Sequence, residues 1–376
     1  MRKIKNILCV HQGYELYGSD RSFALSVGIL RKTYPDAMID IMIPKNGGIV
    51  TLLKPICNNL IINKNLGVLR KKAFKRNPFK LIYKIIRGIY TAVQNSRRYD
   101  VFYINTIVVL DYIIASRFTS TANILHVREI PTGIQKYIFS KILSFSKMKV
   151  IFNSNHTANS YSLSKNQIGT AILNGVTGSP DSINNIQDNR VNILLLGRLT
   201  EWKGQMFFLE TINKLVDLKK YIIQVRIVGD VFEDQLGYKD KLIQFVKTNN
   251  LESIVTFKLF VENPELEYAW SNIVIVPSVK PEPFGRVAIE SMSMGRCVLA
   301  ANHGGLPEII SHNKDGVLFE PNNSGSLMSE LIELLEDPKK IVKYGDNSKA
   351  TFYSKFSDAV YERNFKEVIR KYLSKG

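Results

Sequence analysis

Short apolar runs rich in β-branched residues alternate with helical stretches along the whole chain. In the first half the runs fall at 4–10, 38–43, 101–104, 124–127 and 150–152, and a helix is predicted over 21–32. A second series follows at 192–196, 222–228, 254–257, 273–276 and 298–301. The runs are near-continuously apolar rather than alternating, which is the pattern of parallel strands covered by helices on both faces. Between the two series, residues 174–190 are rich in Asn, Asp, Ser and Gly, the composition of a linker. The pattern predicts an α/β chain of two doubly wound domains with a cleft between them, ligands lying beyond the carboxyl ends of strands. Boundaries are expected at 1–173 and 174–352. The tail 353–376 reads as a helix of mixed charge that crosses back to the first domain.

The totals fit that division. A chain of 376 residues exceeds what one hydrophobic core usually organises. No apolar run reaches the ~18–20 residues of a membrane helix; the best candidate, 101–115, is broken by Asn105 and Asp111. The apolar run 7–10 behind the basic N-terminus is too short for a signal peptide. Cys9, Cys57 and Cys297 have neither metal nor disulfide spacing, so buried thiols and a cytoplasmic, reducing location are expected.

Charge changes the picture more than composition does. The formal net charge is +18, and no Asp or Glu occurs between Ile41 and Tyr99. Lys64, Arg70, Lys71, Lys72, Lys75, Arg76, Lys80, Lys84, Arg87, Arg97 and Arg98 all fall in that span. Such a block implies an anionic partner. Asn77-Pro78 starts a helix in which Leu81, Ile82, Ile85, Ile86, Ile89, Tyr90 and Val93 recur at helical spacing, with Lys80, Lys84 and Arg87 among them. Two readings stand: an interfacial helix seeking anionic lipid, or a core-facing helix with a solvated basic edge. The chain lacks the aromatic-interleaved motifs of nucleic-acid binders, so no nucleic-acid partner is expected.

Candidate chemistry concentrates in residues 282–290, Glu-Pro-Phe-Gly-Arg-Val-Ala-Ile-Glu. A carboxylate in a loop precedes a glycine turn and a helix start, whose unpaired amides and dipole favour an anion. Glu282 and Glu290 stand 290 − 282 = 8 positions apart, roughly 10 Å if the chain between them is helical. That is too far for an acid/base pair and suits gripping two ends of a nucleotide sugar; two solvated glutamates on a surface helix is the alternative. Arg198 and Lys203 follow the strand 192–196 and would suit a diphosphate leaving group, or be two surface cations. Gly229-Asp230, Gly304-Gly305, Gly18 and His126 also stand at or just after strand ends. Gly18 either admits a ligand to the backbone or belongs to a helix start capped by Ser19 or Asp20.

In their order, Arg198-Leu199 to Lys203-Gly204, Pro277-Ser278, the Glu282–Glu290 bracket and Gly304-Gly305-Leu306-Pro307-Glu308 resemble the retaining glycosyltransferases of GT-B fold known as glycosyl transferase group one. The likeness is close from about 174 to 319 and confined in the first half to the first loop and His126. It implies that Glu282 holds donor-sugar hydroxyls, that Phe284, Gly285, Arg286 and Val287 contact sugar and phosphate, and that Glu290 binds the ribose. Arg198 and Lys203 would neutralise the departing diphosphate, Gly18, Gly229 and Asp230 would contact the donor, and His126 would lie near the sugar. Tyr17 stands where the family has the first of two glycines, and Val231 follows Asp230 where many relatives have another. The resemblance implies transfer of a hexose from a nucleoside-diphosphate sugar to a glycan or lipid-linked acceptor in bacterial surface polysaccharide synthesis, on the inner face of the membrane. No Asp-x-Asp occurs, so neither a metal nor another cofactor is expected. A nucleotide-sugar epimerase of the same fold is the alternative, a noncatalytic nucleic-acid-binding protein a more distant one.

Overall fold

A computed structural model describes residues 4–69, 77–179, 186, 190–216, 218, 220–231 and 236–374. Arg70, Lys71, Lys72, Lys75 and Arg76 of the basic block, and most of the linker after position 179, lie outside the described residues. The chain forms two compact units, Met1–Asn174 with Tyr361–Gly376, and Gly175–Val360.

Among the described residues the first unit holds seven parallel strands, β1 (Asn6–His11), β2 (Met38–Ile43), β3 (Asn59–Ile62), β4 (Val101–Asn105), β5 (Ala122–Val127), β6 (Lys149–Phe152) and β7 (Gly169–Ala171). Their order is β3-β2-β1-β4-β5-β6-β7. The second unit holds β8 (Arg190–Leu196), β9 (Ile222–Val228), β10 (Val255–Lys258), β11 (Ile273–Val276), β12 (Cys297–Ala301) and β13 (Val317–Phe319), in the order β10-β9-β8-β11-β12-β13. In their own numbering the first sheet runs 3-2-1-4-5-6-7 and the second 3-2-1-4-5-6, so chain direction across each sheet reverses once, between β1 and β4 and between β8 and β11. Ligands of such sheets bind outside the carboxyl ends of the strands at that point.

Burial on both faces follows strand periodicity. Ile7 and Cys9 join one core layer of the first unit, Leu8 and Val10 the other. In β8, Ile193 and Leu195 face one layer and Leu194 the opposite one. Cys9 and Cys297 are fully buried and Cys57 half-buried, all three as free thiols. The residues expected as one tail helix, 353–376, divide between the end of the helix Pro338–Lys355 and the helix Asp358–Ser374. From the second of these, Tyr361, Phe365, Val368, Ile369 and Tyr372 pack into the first unit's core. Among the described residues no helix is long and apolar enough to cross a membrane.

The helix Pro78–Asn95 divides its apolar residues between two directions. Ile85, Ile89, Ala92 and Val93 pack into the core layer, whereas Phe79, Ile82, Tyr83, Ile86 and Tyr90 are exposed. The core-facing reading thus accounts for one face of the helix, and the apolar stripe on the other lies exposed. Beneath it lies Asp111, whose carboxylate accepts from the Gly67 and Tyr112 amides (2.7 and 2.9 Å). Burial pushes its pKa up to about 6 from 3.8. The folded chain thus holds this proton more tightly than the unfolded chain, and the carboxyl's contribution to stability is lost as pH rises from about 4 through about 6. Asp111→Asn is expected to gain stability relative to the native protein over that window, by about 3 kcal/mol, and to run parallel to it above pH 7. Melting both proteins from pH 4 to 8 checks this; a constant offset would refute it.

Candidate functional site

In the second unit, the loops after β8, β11 and β12 meet at the carboxyl end of the sheet. The Gly197 amide donates to the Val228 carbonyl (2.9 Å) and the Leu199 amide to the Asp230 carbonyl (3.0 Å), tying the exits of β8 and β9 together. The chain then makes one 3-10 turn, Glu201–Lys203. That turn sets the Lys203 ammonium over the Trp202 ring, 4.4 Å from its centroid. Arg198 lies in the same connection, its carbonyl accepting from the Gln205 side-chain amide (3.0 Å).

After β11 the chain runs through Ser278 to Glu282, which is only 5% exposed. Glu282 Oε1 accepts from Lys203 Nζ (2.5 Å) and from Ser278 Oγ (2.6 Å). Oε2 takes part in neither bond. A buried carboxylate is tolerable there because an ammonium and a hydroxyl both reach it. Gly285 then opens the helix Arg286–Ser293. The Ala288 and Ile289 amides turn back to the Gly285 carbonyl, so the amides before them form the helix's anion-seeking end. Further along, Glu290 accepts from Tyr268 OH (2.8 Å) through one oxygen and from Arg286 Nε (2.6 Å) through the other.

The loop after β12 supports this arrangement from behind. The Gly305 amide donates to the Glu282 carbonyl (2.8 Å). A Cβ on Gly304, which has φ +64°, would lie 2.3 Å from that carbonyl oxygen. The paired glycines are thus required by the crossing of two loops. Together the three loops place a cation, a carboxylate and a helix start at the carboxyl end of the sheet, a set able to hold a phosphate at one end and hydroxyls at the other.

Residues 181–351 match the model of the family described as glycosyl transferases group 1. The second half of the chain belongs to that family. The lipopolysaccharide 1,2-N-acetylglucosaminetransferase of Salmonella typhimurium is 28% identical over 196 residues, 51% of this chain and 51% of that protein. An uncharacterized 41.2 kDa protein from the cps region of Klebsiella pneumoniae is 30% identical over 180 residues, 48% of this chain and 42% of its own length. The matched segments thus span about half the length of these curated relatives. Among solved structures, Anabaena Alr3699/HepE in complex with UDP and glucose is 21% identical, with a TM-score of 0.77 over 97% of this chain and 99% of that one. The sucrose-phosphate synthase of Thermosynechococcus elongatus reaches a TM-score of 0.80 at 18% identity, over 99% and 100%. Likeness at that level shows the fold, the two Rossmann-like domains of GT-B glycosyltransferases.

Within the group 1 domain, neither glutamate of the bracket is a solvated surface group, which removes the surface-helix alternative. Phe284 is buried and Val287 half-buried in the first helical turn. Gly229 is buried at the exit of β9. Next to it, Asp230 accepts from the Val231 amide (2.9 Å) and pairs with Lys239 (3.3 Å). Ser278 and Tyr268 are the partners that the bracket alone does not reveal. Ser278 lies four residues before Glu282 but in a loop, where no helical face brings the two together. Tyr268 lies 22 before Glu290, on another element that no local period connects to it.

In the first unit the outcome differs. Gly18 begins the helix Gly18–Thr33, whose N-cap is Tyr17 rather than Ser19 or Asp20. Asp20 instead accepts from the Tyr17 amide (3.0 Å) and from His11 Nε2 (2.7 Å). A buried chain continues from His11 to Asn105 (2.9 Å), from Asn105 to Arg128 (2.7 Å) and from Arg128 to Asn174 (2.6 Å). His126, which the resemblance places near the sugar, has a ring that is 0% exposed. Its Nδ1 accepts from Tyr103 OH (2.8 Å) and faces an Arg128 guanidinium nitrogen (3.2 Å), while the ring stacks with Phe365. Burial, and secondarily Arg128, holds its pKa well below the ordinary value, so the imidazole is neutral at pH 7. The physical reason is position: His126 shares the inward face of Ile124, which the helices Gly18–Thr33 and Asp358–Ser374 cover. His11, Asn105 and Arg128 were missed, although each stands at or just beyond a strand's end.

Proposed function

We propose that this protein is a glycosyltransferase that moves a hexose from a nucleoside-diphosphate sugar to a glycan or lipid-linked acceptor, with retention of configuration and without a metal. The observation that carries the reading is the Glu282–Lys203–Ser278 cluster beside the Arg286–Ser293 helix start, at the point between β8 and β11 where the sheet reverses. The UDP and glucose of the Anabaena neighbour support a nucleotide-sugar donor. The lipopolysaccharide enzyme and the cps-region relative support surface polysaccharide synthesis, and with it a place at the inner face of a membrane.

In this reading the donor's diphosphate lies against the helix start, with Lys203 and Arg198 beside it. As the sugar–oxygen bond breaks, negative charge grows on the diphosphate and positive charge on the sugar ring. Donors fixed beforehand at the leaving group are the largest contribution such a site makes. Glu282 orients sugar hydroxyls and keeps Lys203 in place. The acceptor hydroxyl attacks the face that the diphosphate leaves, and the departing phosphate takes its proton. Glu290 and Tyr268 hold the ribose.

The test is incubation with a panel of nucleoside-diphosphate sugars, reading diphosphate release and product anomer. Release of diphosphate with a retained anomer is expected; an inverted product, or an isomerised donor with no transfer, would overturn the reading. Glu290→Gln should raise the KM for the donor about tenfold with kcat nearly unchanged, because a ribose contact contributes similarly to ground and transition states. A fall in kcat at constant KM would place Glu290 at the chemistry instead.

A further inference from the structure

A cavity of about 800 Å³ in the first unit is ringed by Lys45, Lys64, Lys80 and Lys84, with Leu66 and Leu81 in its apolar wall. Pro44 and Lys45 follow β2, and Lys64 and Leu66 follow β3, so it opens where the carboxyl ends of those strands meet the helix Pro78–Asn95. No carboxylate lines it among the described residues, and none occurs anywhere between positions 41 and 99. Two internal contacts hold the ammonium groups: Lys45 lies 3.9 Å from the centroid of the Tyr14 ring, and Lys84 donates to the Lys64 carbonyl (2.9 Å). Four cations drawn together without a counter-charge repel one another. The arrangement is favourable only with a multiply charged anion among them.

The apolar component points to what else the ligand carries. The helix that supplies Lys80 and Lys84 exposes Phe79, Tyr83, Ile86 and Tyr90 along its outer side, at 82%, 62%, 62% and 67%. At about 100° per residue this stripe lies about 140° around the helix from Asn77, Lys80, Leu81 and Lys84, so the apolar surface within the pocket is its own wall of Leu66, Val68 and Leu81. A charged head among the lysines with hydrocarbon against that wall matches an amphiphile.

We propose that this cavity binds the phosphate or diphosphate head of a prenyl-type lipid carrier, the anchor of the acceptor. Its role in catalysis rests on the glycosyltransferase reading above; the binding itself does not.

The test uses the full chain with farnesyl diphosphate as probe, inorganic diphosphate as the headgroup alone, and phosphatidylglycerol vesicles as a bilayer without the carrier. Farnesyl diphosphate is expected to bind at least about tenfold tighter than inorganic diphosphate. The double variant Lys45→Gln/Lys80→Gln, at two exposed positions, should weaken it at least about tenfold and leave the thermal shift with UDP unchanged. Equal binding of the two diphosphates would reduce the cavity to a plain anion site and overturn the proposal, as would unaltered binding by the double variant. A variant defective on vesicles but not with farnesyl diphosphate would assign the lysines to bulk membrane and overturn it too. Farnesyl diphosphate binding in a protein that no nucleoside diphosphate stabilises would remove the transferase reading and leave this one standing.

Discussion

Glu282→Gln is expected to lower kcat for sugar transfer by about 10²–10³-fold while leaving the affinity for free nucleoside diphosphate within about twofold. Glutamine keeps the size of the side chain and can still accept from Ser278 Oγ, which donates to Oε1 at 2.6 Å. What it removes is the charge that holds Lys203 Nζ at 2.5 Å. Two consequences follow in opposite directions. The carboxylate no longer orients hydroxyls of a sugar acquiring positive charge, which slows the chemical step. The released ammonium remains available to the diphosphate, so binding of the leaving group is unchanged or slightly tighter. Calorimetry with UDP and other nucleoside diphosphates, set beside single-turnover rates, separates the two. A parallel loss of binding and rate would show that Glu282 serves only to build the pocket.

Much of this site was legible because its chemistry is sequential. Arg198 and Lys203 share one connection, and 282–290 is one loop and one helix. The partners that complete it come from other elements, as Tyr268 does for Glu290, and no local period records such pairings. The same division applies to the fold. Ten strands stand out as apolar runs, nine of them interior strands buried on both faces and the tenth the edge strand β10, whereas β3, β7 and β13 do not. All three are sheet edges. β3 has four residues with none buried, and β7 and β13 have three residues each. An edge strand covered on fewer sides needs less apolar sequence, so its run is too short to be distinguished from a loop. His126 is ambiguous in the sequence for a related reason: a polar residue at a strand's end is as consistent with a buried hydrogen-bond network as with an open site, and only the helices above it bury the ring. In the helix Pro78–Asn95 the apolar residues cover more of the circumference than one buried face requires, and the excess is the exposed stripe.

Gly204→Ala should be among the most damaging single changes to the group 1 domain. Gly204 closes the turn carrying Lys203, with φ +78°, and its amide donates to the Glu201 carbonyl (3.2 Å). A left-handed conformation costs an alanine about 1–2 kcal/mol. The larger penalty is steric. A Cβ at this position would lie 1.9 Å from the Pro277 carbonyl oxygen and 2.8 Å from its carbon, backbone atoms that cannot rotate aside. Pro277 directly follows β11 and precedes Ser278, so separating the two chains moves both halves of the Lys203–Glu282 pair. We expect a loss of at least about 4 kcal/mol, a fall of roughly 10 °C in melting temperature for a unit of this size, and little transfer activity even well below the new midpoint. Gly237→Ala is the matched control: it lies in the helix Leu236–Thr248 with nothing within 4 Å of the added carbon, and should be neutral or slightly stabilising through helix propensity. A Gly204→Ala protein that melts within about 2 °C of the native one would mean that the turn and β11 do not cross this closely, and that Lys203 reaches Glu282 along some other path.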